Sequence, residues 1–240
     1  MRVLVTRPAE DSLRTAQELV KLGHQAVVAP LFETRIVEGP ELRLDDVQAI
    51  LATSGNGIRA LARQSHRRDV PVFAVGTRTA AAARAAGFTV VVDAGGDAAA
   101  LAELATARLR REAGPLLHAA GGNSTLELAQ ALARRGFDIR RCVVYQLVEV
   151  AELPPAAVGA LRRDALDAVL VFSARSARLL AGCVRTAALA DSCKRVLACC
   201  ISTQAANALD GLTFRDVHIA SRPNQKSLLA LLQETACLIR

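Results

Sequence analysis

The chain has 240 residues, a formal net charge of +7, 52% apolar residues and only 3% aromatic ones. That length suits one large domain or two smaller ones, each burying its own core. No apolar run reaches the roughly 18 residues needed to span a bilayer, and the opening Met1–Pro8 turns polar too soon for a signal peptide, so a soluble, cytoplasmic protein with no membrane role is expected.

Along the chain, strands and helices alternate. Arg2–Thr6 is predicted as a strand. Ala9–Leu22 is predicted as a helix with Leu13, Ala16, Leu19 and Val20 on its apolar face, ended by Gly23. Gln25–Pro30 and Gln48–Thr53 read as strands, and the turn Ser54-Gly55-Asn56-Gly57 opens a helix through Ala62. Val72–Val75 is a strand before an Ala-rich helix to Gly87. Val90–Val92 is a short strand, Ala98–Arg111 a helix and Pro115–Ala119 a strand. A helix then runs to Arg135, and Ile139–Glu149 is a long strand. Continuous apolar strands alternating with helices imply an α/β fold with parallel sheets covered on both faces.

The second half repeats the first in shuffled order. Ile50–Ser54 resembles Val169–Ser173, each followed by a helix, and Val72–Ala83 resembles Ala198–Leu209. Leu117–Gln146 finds its counterpart in Leu4–Glu33. Two similar domains follow: residues 1–34 with 152–240, and residues 35–151 inserted between them. The chain then crosses twice, near Thr34–Gly39 and Val148–Pro155, where two extended segments are able to pair as a short antiparallel ribbon.

Six cysteines are present, but no Cys-x-x-Cys occurs and no His lies at ligand spacing from them. They read as reduced core residues, and no metal site is expected. The arginine pairs at 67-68, 110-111, 134-135, 140-141 and 162-163 read singly as solvated helix ends. Their collective surplus favours a polyanionic partner. Few aromatics, no DNA-binding motif and no basic tail argue against nucleic acid and leave a small polycarboxylate.

The recurring polar element is a turn between strand and helix: Thr6-Arg7-Pro8, Ser54-Gly55-Asn56-Gly57, Gly76-Thr77-Arg78-Thr79, Gly121-Gly122-Asn123-Ser124, Ser173-Ala174-Arg175-Ser176 and Ser202-Thr203-Gln204. Each alone is explained by helix capping. In parallel sheets, however, such turns gather at the C-terminal edge, where helix N-termini suit carboxylates or phosphates. None is a phosphate loop or a complete dinucleotide fingerprint. The candidate ligand-binding residues are therefore Thr6, Arg7, Ser54, Asn56, Gly76, Thr79, Gly122, Asn123, Ser173, Ser202 and Thr203. No catalytic triad is visible. His24, His66 and His218 read as turn or surface residues, and His118 as a strand residue near a turn. Tyr145, the one tyrosine, ends a strand beside a crossing and is either a core residue or a site residue.

Val3-Leu4-Val5-Thr6-Arg7-Pro8, Thr53-Ser54-x-Asn56-Gly57, Val75-Gly76-x-x-Thr79-Ala80, Val143-Val144-Tyr145, Phe172-Ser173 and Cys200-Ile201-Ser202 together resemble the uroporphyrinogen-III synthases over essentially the whole chain. The resemblance implies a two-domain enzyme that cyclises hydroxymethylbilane to uroporphyrinogen III, a lyase of heme biosynthesis that loses water and inverts one pyrrole. It implies no cofactor, a monomer, and Tyr145 as general acid or positioner of the leaving group. Thr79 matches a threonine of the family's cleft. Where the family often has a second threonine this chain has Ala205, with Thr203 nearest. The rival readings are a non-catalytic ligand-binding or regulatory protein of the same bilobal fold, and an unrelated α/β enzyme acting on a phosphorylated substrate.

Overall fold

The computed structural model describes residues 1–122 and 126–238. In chain order the strands and α-helices are β1 (Arg2–Val5), α1 (Ala9–Lys21), β2 (Gln25–Val28), β3 (Phe32–Ile36), β4 (Ala49–Ala52), α2 (Gly55–Gln64), β5 (Val72–Ala74), α3 (Thr77–Ala85), β6 (Val91–Asp93), α4 (Ala98–Arg108) and β7 (Leu116–Gly121). They continue with α5 (Glu127–Ala133), β8 (Ile139–Glu149), α6 (Pro155–Arg162), β9 (Ala168–Val171), α7 (Ala174–Thr186), β10 (Leu197–Cys200), α8 (Thr203–Asn207), β11 (Asp216–Ile219) and α9 (Gln225–Leu238). They fall into two compact units, Met1–Glu33 with Val148–Arg240, and Thr34–Leu147. Among the described residues no helix is long and apolar enough to cross a membrane.

The first unit has a five-stranded sheet in the order β11-β10-β9-β1-β2, and its neighbouring strands run parallel. Side chains alternate across a strand. Val3, Val5, Ala168, Leu170, Leu197 and Cys199 therefore meet Leu19 of α1 and Leu228, Leu229 and Leu232 of α9 in one core. Leu4, Val169, Val171, Ala198 and Cys200 are buried on the other side, where α6 packs on β2, α7 on β9 and α8 on β10.

The second unit's sheet has the order β3-β8-β7-β4-β5-β6, and the steps from β8 to β6 are parallel. Ile50, Ala52, Val72, Leu117 and Ala119 form one core with Ile58 and Leu61 of α2 and Ala83 of α3. Ala49, Leu51, Phe73 and Leu116 form the other with Leu101 and Ala105 of α4 and Leu128 and Leu132 of α5. Read from β9, the first unit's order is the same as that of the second read from β4. Strands β9, β10, β11, β1 and β2 take the places of β4, β5, β6, β7 and β8. This is the shuffled repeat.

Three departures from the sequence reading have physical causes. Helix α1 buries Ser12, Thr15 and Leu19, while Leu13 and Val20 are 58% and 66% exposed. The two hydroxyls donate to the carbonyls of Arg7 and Asp11, so they enter the core satisfied. Helix α4 ends at Arg108 because Leu109 is extended. His24, read as a turn or surface residue, is buried directly after the turn that ends α1, with Nδ1 3.3 Å from the Met1 ammonium.

Cys183, Cys193, Cys199 and Cys200 are buried core residues, and Cys142 is half-buried against the core of the second unit. Burial pushes the thiols of Cys199 and Cys200 up to about 12, and Cys142, Cys183 and Cys193 are likewise unpaired thiols. Several arginines of the pairs are structural. Arg68 donates to the carbonyls of Ala62, Ser65 and Ala86, the last turn of α2 and the end of α3.

Candidate functional site

In the second unit the chain leaves β4 towards β5 and β6 on one side, then returns through β7 and β8 on the other. Helices that leave adjacent strands in opposite directions open a crevice at the strands' C-terminal ends. Three expected site positions meet at this switch point: Ser54 after β4, Gly122 after β7, and Tyr145 on β8.

Ser54 is extended and caps α2, its Oγ accepting from the Gly57 N–H at 3.1 Å. The same oxygen lies 3.0 Å from Tyr145 Oη. Gly57 is required here, because a Cβ would stand 2.5 Å from the Ala119 carbonyl oxygen. Helix α2 can thus sit tightly over β7.

Tyr145 reaches Ser54 because the β7–β8 ladder slips. Ala120 pairs with Val143, but Gly121 pairs with Tyr145, leaving Val144 as the additional residue. Such a bulge turns the side chain that follows it. Cys142, Val144 and Tyr145 consequently all pack on the core shared with α2, although strict alternation would send Tyr145 to the opposite face from Val144. The Gly122 N–H donates to the Tyr145 carbonyl at 2.9 Å. Gly121 forms the floor beneath the ring, where a Cβ would come within 2.7 Å of Cζ. Arg141 donates to the Gly121 carbonyl at 3.1 Å. Tyr145 is half-buried, and its hydroxyl can both donate and accept.

Gly76, Thr79 and Asn56 flank this centre differently from expectation. Gly76 caps α3 without a side-chain bond. Thr79 is the third helical residue and only 6% exposed, so it is not a cap. Asn56 Oδ1 accepts from Arg59 at 2.8 Å. Asn123 lies outside the described residues.

The first unit has its own switch point, between β1 and β9. Thr6 and Arg7 lie here. Thr6 is 2% exposed, leaving little of it for a ligand to touch. The Arg7 guanidinium lies 4.3 Å from the Phe172 ring centroid. It donates to Gln225 at the start of α9 at 2.6 Å and to Asp11 of α1 at 3.2 Å. Arg7 therefore braces the first turns of α1 and α9 across this crevice. Ser173 and Ser202 are extended caps, accepting from the N–H groups of Ser176 and Ala205 at 3.1 and 3.3 Å. Thr203 is the exposed first residue of α8, which has five residues.

Two hollows on the surface lie away from the tyrosine. One of about 480 Å³ is lined by Val37, Glu38, Arg63 and His66, at the other end of α2 from Ser54. One of about 830 Å³ follows α7 and α8 in the first unit, past Arg178, Arg185 and Gln204. The convergence of polar groups marks the candidate site in the second unit. Among the described residues no His, Cys, Asp and Glu cluster able to hold a metal ion occurs.

Gly121, Gly57 and Thr53, which the turns and motifs above contain, and His118 are not among the candidate residues read from the sequence. The two glycines are there for close approaches that only the pairing of β7 with its neighbours defines. His118, taken as a plain strand residue, is buried with Nε2 3.4 Å from Thr53 Oγ1. Burial first, and then the Arg141 charge, pull its pKa down to about 4.

The family model described as uroporphyrinogen-III synthase HemD matches residues 14–230. A uroporphyrinogen-III synthetase structure from Helicobacter pylori aligns with a TM-score of 0.59 at 18% identity and covers 100% of both chains. A mutant uroporphyrinogen III synthase from Thermus thermophilus covers 100% of this chain and 98% of its own, at 23% identity and a TM-score of 0.47. No curated protein matches. With a family match over most of its length and the shared α/β fold, the chain belongs to the uroporphyrinogen-III synthase family, enzymes of tetrapyrrole synthesis.

Proposed function

We propose that this chain is a lyase that closes hydroxymethylbilane into uroporphyrinogen III, in the cytoplasm and as a monomer. The observation that carries this reading is the phenol of Tyr145, held 3.0 Å from Ser54 Oγ at the switch point between β4 and β7. The substrate is a flexible polycarboxylate. Its terminal hydroxymethyl group departs as water once its oxygen receives a proton, leaving an electrophilic azafulvene. The substituted carbon of the far pyrrole attacks this electrophile. The resulting spiro ring reopens and recloses with that pyrrole inverted.

Two tasks fall to the protein. Substrate carboxylates need fixed hydrogen-bond donors, and the N-termini of α2, α3 and α7, at Ser54, Gly76 and Ser173, supply N–H groups with a favourable dipole. The departing oxygen needs a proton or a donor, and Tyr145 is suited to that role. The Ser54 hydroxyl is suited to keep the phenol aimed and to take part in its proton exchange. Gly122, Asn123, Ser202 and Thr203 complete the proposed substrate contacts. Thr6 and Arg7 are assigned to the frame instead.

The test is incubation of the purified chain with hydroxymethylbilane, without added metal or cofactor, followed by isomer analysis. Unassisted closure yields isomer I. Isomer III is the expected product, and isomer I alone from folded protein overturns the reading.

A further inference from the structure

Behind Tyr145, on the other face of the same sheet, lies a polar pair that the reaction scheme does not use. His118 on β7 stands between Leu51 of β4 and Arg141 of β8 in the ladder. All three side chains share the α4/α5 side by strand alternation. His118 is 1% exposed. Its Nε2 faces Thr53 Oγ1 at 3.4 Å, and its Nδ1 is buried with no hydrogen-bond partner. Burying a histidine in a sheet core and leaving one nitrogen unsatisfied is costly, and such an atom calls for an explanation. An N–H without an acceptor is a poorer occupant of an apolar site than a bare lone pair. The tautomer is therefore assigned with the proton on Nε2, which donates to Thr53 and leaves Nδ1 unprotonated.

Thr53 immediately precedes Ser54, the residue that meets the phenol. The neighbouring Arg141 grips the Gly121 carbonyl at 3.1 Å, and Gly121 is the floor of the ring. The two groups behind the sheet thus act on the two positions between which Tyr145 is held. We propose that His118 is a positioning residue: through Thr53 it fixes the strand-to-helix turn at Ser54, and with it the aim of the Tyr145 hydroxyl, without touching substrate. The catalytic consequence rests on the role proposed for Tyr145, whereas the positioning itself does not.

The experiment uses the full chain and reads two quantities. One is kcat and KM for isomer III formation. The other is the emission of the lone tyrosine, which no tryptophan obscures. His118→Leu fills the site without polar atoms. Its kcat is expected to fall about tenfold with KM changed less than about twofold, the signature of a lost transition-state interaction, and Tyr145 emission should shift. His118→Gln, whose amide N–H reaches near the Nε2 position, should restore most of both. Thr53→Val should reproduce the loss, and the double variant His118→Leu/Thr53→Val should be no worse than either single one. If His118→Leu does not fold, Thr53→Val and His118→Gln carry the same comparison. Wild-type kcat and wild-type emission in Thr53→Val, or fully additive losses in the double variant, overturn the proposal. Should the wild type make no isomer III, the reaction reading fails, while the emission arm still decides whether His118 positions Tyr145.

Discussion

A methyl group added at Gly121 would lie 2.7 Å from Cζ and 2.8 Å from Oη of Tyr145, so the tyrosine ring rests on a residue that has no side chain. Gly121 is not among the positive-φ glycines, and its constraint is steric alone. Gly121→Ala is expected to leave the sheet intact, because the ring can swing away, and to lose about 1–3 kcal/mol of stability through overpacking. Displacement of the phenol from Ser54 should lower turnover at least about tenfold, or about 1.4 kcal/mol in the barrier. Urea unfolding and the isomer assay separate the two effects. Normal turnover in this variant would remove the floor from the site. Gly57→Ala is the contrasting case, since its methyl would meet the Ala119 carbonyl at 2.5 Å and a backbone atom cannot swing aside. Its loss should therefore appear first in stability.

The bond between Ser54 and Tyr145 should behave as a unit. Tyr145→Phe keeps the ring and removes the hydroxyl, so stability should change by about 1 kcal/mol. Turnover should drop about a hundredfold or more, as for loss of a general acid. Ser54→Ala removes both the phenol's partner and the α2 cap, costing about 1 kcal/mol or somewhat more. In the double variant the losses in turnover should be clearly less than the sum of the single ones, because neither hydroxyl is useful alone. Additive losses would mean that the serine acts only as a cap.

What the sequence discloses and what it hides follow from the physics of each element. Strand and helix alternation is legible because Val3–Val5, Ile50–Ala52 and Val169–Val171 are buried on both faces and show as unbroken apolar runs. The face of α1 is not legible, because Ser12 and Thr15 satisfy their hydroxyls on the local backbone and enter the core, displacing Leu13 and Val20. Ser54 and Tyr145 are visible singly as a cap and a lone tyrosine. Their contact depends on the register slip between Gly121 and Tyr145, and register belongs to a pair of strands. No pattern within one strand encodes it. The surroundings of Arg7 are hidden for a related reason: a turn sequence does not reveal that Phe172 and Gln225 approach it from far along the chain.

Arg7 offers a test that separates a framing role from a substrate contact. Its planar fork reaches Gln225 and Asp11 while its face covers Phe172, a combination that a lysine cannot reproduce. Arg7→Lys is expected to lower stability by about 1–2 kcal/mol. KM for the bilane should stay within about twofold, since no substrate contact is lost. A large rise in KM with an unchanged melting curve would return Arg7 to the substrate-binding residues.

His118 should also leave a mark on the acid limb of the stability curve. Its pKa falls from 6.5 to about 4 in the folded protein, chiefly through burial and secondarily through the facing Arg141. Between these values the unfolded chain binds the proton and the folded chain does not, so stability rises with pH across that window. The contribution is fully present above about pH 6.5 and is lost as the pH falls towards 4. For a shift of this size it amounts to on the order of 3 kcal/mol. Because the group is buried, salt should screen little of it. Urea midpoints at pH 7 and pH 4.5 should therefore differ markedly in the wild type. In His118→Leu, which has nothing to protonate at this position, the difference should shrink by most of that amount. Asp69, whose pKa the neighbouring Arg67 holds down to about 2, loses its stabilisation at lower pH, below this window. An unchanged pH dependence in His118→Leu would show that the imidazole is able to take up a proton in the folded state, and with it the Nε2–H tautomer assigned against Thr53 would lose its basis.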